Sequence, residues 1–344
     1  MPGKAVRRRW HLDLHGIRRH GSKESGFTYR SPDGSAITDE RTLARIRRLR
    51  IPPAWREVRV ARGDGSPLQA VGIDKKGRTQ YRYHARFRAQ REEEKFQRVV
   101  EFGESLPQLR RRVRNDLRGE QLDRDRVLAA IVRLIDQGFF RVGNEKSARS
   151  ESTYGLTTIR GKHVTVNGPV LLFDYIGKWR KTHKRAVSDR EVADIVRALK
   201  KLDEKELFAF FEGVKIRDVN DRHVNEYIQS IIGHNFTAKD FRTWAGTLVC
   251  ACALAKRGCE PGERGALRKR KVVEAIKETA ELLGNTAAVC RSSYICPEII
   301  ESFEGGKTIS KYFNSLNELT AYRGRKLHAA EKSLLNFMKR AASG

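Results

Sequence analysis

Four segments of the chain place isolated cations and one tyrosine in contexts that suit chemistry at a phosphodiester. They are FFRVGNEKSARSESTYGLTTIRGKH at 139–163, FDYIGKWR at 173–180, TAKDFRTWAG at 237–246 and LLGNTAAVCRSSYI at 282–295. In-line attack on phosphorus by an oxygen nucleophile spreads negative charge over the equatorial oxygens. Fixed guanidinium groups can neutralise that charge, as Mg²⁺ does in other enzymes. These segments therefore indicate phosphoryl chemistry carried out by side chains.

Other catalytic motifs are missing from the sequence. It contains no G-x-x-x-x-G-K-[ST] loop and no G-x-G-x-x-G that opens a helix, so we expect no nucleotide cofactor. Asp123 and Asp125 precede an apolar periodic stretch, which favours a helix cap and a first-turn acid over a metal pair. His11, His15 and His20 lie in basic, strand-like sequence without nearby carboxylates. We therefore expect neither a metal nor a cofactor.

The charge of the chain indicates its partner. The 344 residues, enough for about two domains, include 70 Lys and Arg against 42 Asp and Glu, a formal net charge of +28. Solubility alone needs a net charge of only about 2–8. A folded protein with this surplus concentrates polyanions at its surface, and nucleic acid is the polyanion of densest regular charge. Charge by itself does not distinguish DNA from RNA.

Membrane insertion and secretion are not expected. The longest apolar run, Leu248 to Ala255, has eight residues, whereas a bilayer span needs about 20. The basic first residues lack the apolar core and small-residue cleavage site of a secretory signal. The five cysteines are odd in number and form no C-x-x-C pair, which argues against a disulfide framework or a zinc finger. We expect a cytoplasmic, nucleoid-associated protein with reduced cysteines.

The first 90 residues are expected to form a small β-rich domain. From Arg8 to about Tyr83, short strand-like stretches alternate with clusters of Gly, Pro, Ser and Asp. One predicted helix interrupts them, capped by Thr38 and stopped by Pro52-Pro53. Its polar face is almost entirely arginine, including Arg45, Arg47, Arg48 and Arg50. Such a one-sided basic face favours contact with phosphates.

The segment VGIDKKGRTQYRYHARFR at 71–88 has a second basic pattern. Tyr81 and Tyr83 alternate with Arg82 and follow Gln80, so the two tyrosines share one face of a strand. Glutamine can read base edges, and tyrosine can touch sugar and phosphate. We therefore predict DNA contacts at Gln80, Tyr81 and Tyr83, although ordinary sheet packing gives the same spacing.

Residues 91–344 are expected to form a larger, mainly α-helical domain, so the fold class is α+β. A charged helical stretch, RAQREEEKF, connects it to the first domain. Capping patterns predict helices after Ser188, with Glu191 completing a capping box, and after Asn220. The exception is a small sheet, because Asn167-Gly168 between apolar runs predicts a hairpin. A second turn at Gly177 places Lys178 at a hairpin tip.

The sequence resembles the type IB DNA topoisomerases of the compact poxviral and bacterial kind. The resemblance lies in the four segments at 139–163, 173–180, 237–246 and 282–295, and in LRIPPAW at 49–55 and GRTQYRYH at 77–84. The resemblance runs from about residue 49 to residue 294. It implies that Tyr294 is the nucleophile, and that Arg141 in FFR-x-G, Lys178 in F-x-x-x-G-K and Arg242 in K-D-x-R-T belong to the active site. Asn285 completes the set, at a position where poxviral and nuclear enzymes have His and bacterial relatives commonly have Asn.

The resemblance also implies a mechanism. Tyr294 would form a 3′-phosphotyrosyl bond that conserves the energy of the phosphodiester, so that the strand is resealed without ATP. Lys178 is the expected acid for the departing 5′-oxygen. An amide donates hydrogen bonds but does not titrate, so Asn285 is expected to stabilise rather than to shuttle protons. Lys146 and Lys239 are expected to bind DNA, and the enzyme to act as a monomeric clamp around the duplex.

Two other functions remain open from the sequence. A tyrosine site-specific recombinase shares the fold and the nucleophile, but recombinases usually carry His-x-x-Arg where this chain has Lys239-Asp240-Phe241-Arg242. A non-catalytic DNA-coating protein would explain the charge but not the four segments. The cleavage sequence, the source and the role of residues 305–344, which have a helical pattern around Leu319, Leu334 and Met338, are not predicted.

Overall fold

The computed structural model describes residues 11–143, 148, 150, 152–260 and 262–342. The chain divides into two compact units, Met1–Lys95 and Phe96–Gly344. The first is rich in strands and the second in helices, so the fold is α+β. None of the helices in the described part of the chain has the length and apolar character needed to cross a bilayer.

The first unit is built on a five-stranded antiparallel sheet of order β2-β1-β3-β4-β5. Its strands are β1 (Ile17–Ser22), β2 (Gly26–Arg30), β3 (Arg56–Val60), β4 (Leu68–Ile73) and β5 (Thr79–Tyr83). The core joins the sheet to helix α1 (Glu40–Arg48) through residues such as Ile17, Ile46 and Val60. Residues 11–15 are helical, which corrects the strand-like interpretation of the sequence around His11 and His15.

Helix α1 departs from two sequence predictions. Its cap is Asp39 rather than Thr38, since the Asp39 carboxylate accepts the backbone N–H of Thr42. Arg45, predicted on the phosphate-facing side, is buried and donates to Gln69 Oε1 at 3.0 Å and to the carbonyl oxygen of Ala61 at 2.5 Å. Its guanidinium therefore supports the first unit from within, while Arg47 and Arg48 remain exposed.

Helices make up most of the second unit. The chain enters it along α2 (Ala85–Leu117), which contains the predicted charged helical stretch. The helices that follow are α3 (Arg124–Gly138), α4 (Arg190–Lys200), α5 (Asp221–Ile232), α6 (Ala238–Arg257), α7 (Gly265–Leu283), α8 (Ala287–Ser293), α9 (Pro297–Glu304), α10 (Leu316–Ala321) and α11 (Ala329–Ala342). Asn220 caps α5 as predicted, but Asp189 rather than Ser188 caps α4.

Two small antiparallel sheets belong to this unit. The predicted hairpin is the start of a three-stranded sheet of order β6-β7-β8, with β6 (Val164–Asn167), β7 (Val170–Ile176) and β8 (Thr182–Ser188). The second sheet pairs β9 (Ala209–Glu212) with β10 (Lys215–Asp218). We expected one small sheet, so this hairpin was missed, although its turn at Gly213 has the φ of +63° that favours glycine.

A buried ion network fixes the C-terminal helix α11 to the core. Arg110 on α2 donates to both carboxylate oxygens of Glu331 at 2.8 Å and to Asp136 on α3 at 2.8 and 3.0 Å. Trp244 Nε1 donates to the same Glu331 carboxylate at 3.3 Å. Residues from α2 and α6 therefore donate to one acidic side chain of α11, and Arg110 also links that side chain to Asp136 on α3.

Replacing Glu331 with alanine is expected to lower the free energy of unfolding by about 3–5 kcal/mol, because Arg110 then keeps a buried charge with one partner fewer. Urea unfolding followed by circular dichroism measures the change. Glu301→Ala, which removes an exposed carboxylate on α9, is the control and should change the free energy by less than about 0.5 kcal/mol. Equal effects of the two variants would contradict the assignment.

Candidate active site

Arg141 is positioned by a tight crossing of two chain segments. Helix α3 ends where Phe139 adopts φ 53°, and Leu156 and Thr157 donate backbone N–H groups to the carbonyl oxygens of Arg141 and Val142 at 2.9 and 2.6 Å. A Cβ on Gly155 would lie 2.5 Å from the Gly143 backbone. The two glycines therefore explain why the FFR-x-G and YGLTT motifs occur together.

Arg242 is placed by the first turns of α6. The Asp240 carboxylate accepts the Thr237 N–H at 2.8 Å and forms a bidentate pair with Arg98 at 2.6 and 2.8 Å, which fixes the start of the helix. The Arg242 guanidinium then donates to the carbonyl oxygens of Phe139 at 2.6 Å and Leu283 at 2.7 Å. It bridges the ends of α3 and α7 while remaining 4% exposed.

Asn285 follows the C-terminal end of α7. Gly284 has φ 63° and ψ 40°, and the Asn285 N–H donates to the Ala280 carbonyl at 2.8 Å, as in a Schellman motif. Three cations satisfy carbonyl groups at this end: Arg242 on Leu283, Arg185 on Leu282 at 2.5 Å, and Lys181 on Asn285 itself at 3.2 Å. Positive side chains here also complement the helix dipole.

Tyr294 follows the last residue of the short helix α8. Its backbone lies against α6, where a Cβ on Gly246 would be 2.7 Å from the Tyr294 carbonyl oxygen. The Thr247 hydroxyl donates to the same oxygen at 3.3 Å. Gly246 therefore permits the close approach that brings the tyrosine next to Arg242.

These four side chains form one cluster. Arg141 Nη1 lies 3.4 Å from the Tyr294 hydroxyl, and Arg141 Nη2 donates to Asn285 Oδ1. The Arg242 guanidinium carbon lies 5.0 Å from the centre of the Tyr294 ring. Within the described chain, Arg141 Nε, Arg242 Nε and Asn285 Nδ2 are buried N–H donors without a hydrogen-bond partner. An anion with several oxygens would suit such donors.

The cluster shifts the pKa of its members. Burial raises the pKa of the Tyr294 phenol, but the charges of Arg242 and Arg141 and their hydrogen bonds outweigh burial, so this pKa lies below its ordinary value. Burial, followed by the charge of Arg141, lowers the pKa of Arg242 to about 10. The phenol is therefore easier to deprotonate here than in water.

Lys178 belongs to the loop between β7 and β8, as the hairpin pattern predicts. It begins a 3₁₀ turn, Lys178–Arg180, and the Gly177 N–H closes the loop by donating to the Lys181 carbonyl at 2.8 Å. Lys178 is exposed. Gly177, the residue before it, lies against His183, which also lies against Gly284.

Sequence reasoning missed three residues of this region: Lys181, His183 and Arg185. Strand β8 carries His183 and Arg185, and Lys181 is the residue before it. Their contacts with Asn285, Gly284 and Leu282 join residues about 100 positions apart in the sequence. The available signal was the alternation of THKRAV, in which His183 and Arg185, two residues apart, share one face of a strand and Lys184 lies on the other.

The predicted DNA-binding residues of the first unit lie on β5. The rings of Tyr81 and Tyr83 stack with centroids 6.0 Å apart, so they share one face, and Tyr81 is 38% exposed. Gln80 Nε2 donates to Asp74 at 2.9 Å. In the second unit Lys239 is exposed on the first turn of α6. Lys146 lies outside the described residues.

The cysteines and acidic residues form no metal centre in the described part of the chain, where no group of three or more His, Cys, Asp or Glu side chains could hold a metal ion. All five cysteines are free. Asp123 caps α3 and Asp125 lies in its first turn, as predicted. The cluster of Tyr294, Arg141, Arg242 and Asn285 therefore has one phenol of lowered pKa, two guanidiniums and one amide for chemistry.

Comparisons with known proteins agree with this geometry. Residues 84–320 match the family model of the eukaryotic DNA topoisomerase I catalytic core, and residues 26–74 match the N-terminal domain of bacterial DNA topoisomerase IB. DNA topoisomerase 1B of Acanthamoeba polyphaga mimivirus is 34% identical over 298 residues, which cover 85% of this chain and 88% of the viral protein. DNA topoisomerase 1B of vaccinia virus is 24% identical over 238 residues, 67% of this chain and 71% of that protein.

The first family model covers well over half of the sequence, and the mimivirus relative aligns along most of both chains. The chain belongs to the type IB DNA topoisomerase family.

Proposed function

We propose that this protein relaxes supercoiled duplex DNA by cutting one strand with Tyr294, allowing the free end to rotate, and resealing the strand without ATP or a metal ion. The observation that carries the proposal is the contact of the Tyr294 phenol with two arginines, beside a buried amide nitrogen without a partner in the described chain. A phenol acidified by fixed cations is a suitable oxygen nucleophile for phosphorus.

In the cleavage step, Tyr294 Oη forms a bond to phosphorus and the bond from phosphorus to the 5′-oxygen breaks. The phenolic proton leaves to solvent, and Lys178 gives a proton to the departing 5′-oxygen. The products are a 3′-phosphotyrosyl bond and a free 5′-hydroxyl. Religation is the reverse reaction at the same residues, so no external energy is needed.

Arg141, Arg242 and Asn285 are proposed to hold the nonbridging oxygens. Their unpartnered N–H groups are buried next to the phenol, where the low dielectric strengthens each hydrogen bond to a developing negative charge. Asn285 Oδ1 is already occupied by Arg141, so the amide is oriented with its Nδ2 as the donor.

We further propose that residues 1–90 and 91–344 together act as a clamp on the duplex. Support comes from the net charge of +28, from the exposed Tyr81 and its neighbour Tyr83 on β5, and from the exposed Lys239. Gln80 would read a base edge with the amide hydrogen that it does not share with Asp74. We expect a monomer that works on the nucleoid in the bacterial cytoplasm.

A plasmid relaxation assay in EDTA and without ATP tests the proposal. We expect relaxation at many sites, with a covalent protein–DNA adduct trapped by detergent. Loss of activity on chelation would contradict the proposed chemistry. Exchange of strands between two defined sites, without general relaxation, would indicate a recombinase instead.

The pH dependence of cleavage follows from the lowered pKa of Tyr294. The phenolate is the reactive form, so the single-turnover rate should rise with pH. The rate should level off at a pH below about 10, the pKa of an ordinary tyrosine, because the pKa of Tyr294 is lowered. Arg141→Gln removes one of the cations that favour the phenolate, so the rise of the variant's cleavage rate should move to higher pH. Rapid-quench cleavage between pH 5 and 10 gives the pH–rate profiles of the parent and the variant. If the two profiles superimpose, Arg141 does not lower the pKa of the phenol.

A further inference from the structure

The imidazole of His183 fills a gap between two glycines, Gly177 and Gly284. A Cβ on Gly177 would lie 2.4 Å from its Cδ2 and 2.6 Å from its Nε2, and a Cβ on Gly284 would lie 2.5 Å from its Cε1. One edge of the ring therefore contacts Gly177 and the other contacts Gly284. The ring face stacks on Tyr175, its partner across the strand pair, with centroids 5.3 Å apart.

Each glycine is joined by one peptide bond to a residue of the proposed mechanism. Gly177 precedes Lys178, and Gly284 precedes Asn285, whose amide contacts Arg141. We propose that His183 is a positioning residue that holds the Lys178 loop at a fixed distance from the Asn285 turn. The inference rests on the proposed roles of Lys178 and Asn285.

The two sides of the gap are not equally secured. The Gly284 turn is held by the Asn285 N–H on Ala280 at 2.8 Å and by the Arg242 bond to the Leu283 carbonyl at 2.7 Å. The loop is held on its own side by the Gly177 bond to Lys181 and by the contact of Lys181 Nζ with the Asn285 carbonyl at 3.2 Å. The bonds of the turn are made to α7 and to the buried Arg242, whereas the bond between Gly177 and Lys181 lies within the loop. We therefore expect loss of the ring to move the loop, and with it the acid, more than the turn.

His183 does not itself act as an acid at neutral pH. Burial and the surrounding charges of Arg185, Arg141, Arg242 and Lys181 lower its pKa to about 4, so the ring is neutral. An uncharged planar spacer that is 9% exposed separates the loop from the turn without adding a further positive charge next to four cations. Its effect on the reaction must pass through the position of Lys178.

The test uses duplex oligonucleotides cleaved at a mapped site, with oxygen or sulfur as the 5′-bridging atom. A departing alkoxide needs a proton. A thiolate does not, because a thiol has a pKa of about 8.5 and leaves readily as the anion. His183→Ala should slow single-turnover cleavage of the oxygen substrate about 10- to 100-fold, as expected for a misplaced catalytic group. It should cleave the sulfur substrate within about threefold of the parent rate, since a correctly placed acid is not required there.

Two matched variants accompany it. His183→Phe keeps a flat ring between the glycines and should retain most of the oxygen-substrate rate. Lys184→Ala removes an exposed residue of β8 that pairs with Asp174, and should cleave both substrates like the parent. A melting curve for each variant shows whether it is folded.

Equal slowing of both substrates by His183→Ala, or no slowing, would overturn the inference. Lys178→Ala separates this failure from failure of the proposed function. If sulfur restores cleavage by Lys178→Ala but not by His183→Ala, Lys178 is the acid and His183 does not position it. If sulfur restores neither variant, the acid role of Lys178 is itself wrong.

Discussion

Tyr294→Phe is expected to abolish both plasmid relaxation and the covalent adduct while leaving DNA binding nearly intact. The substitution removes the oxygen that we propose as the nucleophile and keeps the ring over which Arg242 lies. Removal of a covalent nucleophile typically costs about 10⁶-fold in rate. Relaxation under a large excess of enzyme, together with detergent trapping on a labelled duplex, measures the loss.

The control is Tyr312→Phe, which removes a hydroxyl from a tyrosine that is 38% exposed in the same unit. It should relax plasmid at the parent rate. Salt-dependent binding of both variants should match that of the parent, since it depends on surface cations. An adduct that forms on Tyr294→Phe, with peptide mapping to another residue, would show that the nucleophile lies elsewhere.

Local patterns predicted the elements that carry the site better than they predicted how those elements meet. The Asn220 cap and the Asn167-Gly168 turn were predicted correctly because each determines its structure through residues one to four positions away. The sequence predicts caps at Thr38 and Ser188, whereas Asp39 and Asp189 cap the helices, because either residue of each pair can cap a helix. The choice depends on packing that a single sequence does not show.

Arg45, His183 and Arg185 also have contacts that a single sequence does not show. An arginine on a basic helical face is predicted to meet solvent or phosphate, yet Arg45 turns inward because Gln69 and the Ala61 carbonyl are available as acceptors. His183 and Arg185 acquire their roles only when β8 comes next to the end of α7. Their partners lie about 100 residues away, beyond the reach of periodicity or spacing.

The end of α7 explains why so many cations can lie together. Carbonyl groups in the last turn of a helix lack intrahelical partners and carry partial negative charge. Arg242 and Arg185 bind two of them, and Lys181 binds the carbonyl of Asn285. The protein's own carbonyl groups thus hold Arg242 close to Tyr294, where we propose that it binds the phosphate.

Arg242→Lys is expected to reduce the single-turnover cleavage rate by about 10²–10³-fold, although it preserves the charge. An ammonium group has no planar fork, so it cannot bind the Phe139 and Leu283 carbonyls together and still donate towards Tyr294. The phenol also loses the Arg242 hydrogen bond that helps to lower its pKa, so the rise of rate with pH should move to higher pH. Rapid-quench cleavage of a suicide duplex at several pH values gives both quantities.

Arg185→Lys is the matched control, because Arg185 spans a similar pair of carbonyls, those of Gly138 and Leu282, without contacting the Tyr294 ring. The two variants should lose comparable stability in a thermal melt, since each gives up a buried bridge between the ends of α3 and α7. Only Arg242→Lys should show the large loss of cleavage and the alkaline shift. If both variants slow cleavage equally, Arg242 serves only to join the two helix ends, and the charge that stabilises the phosphate must come from Arg141 alone.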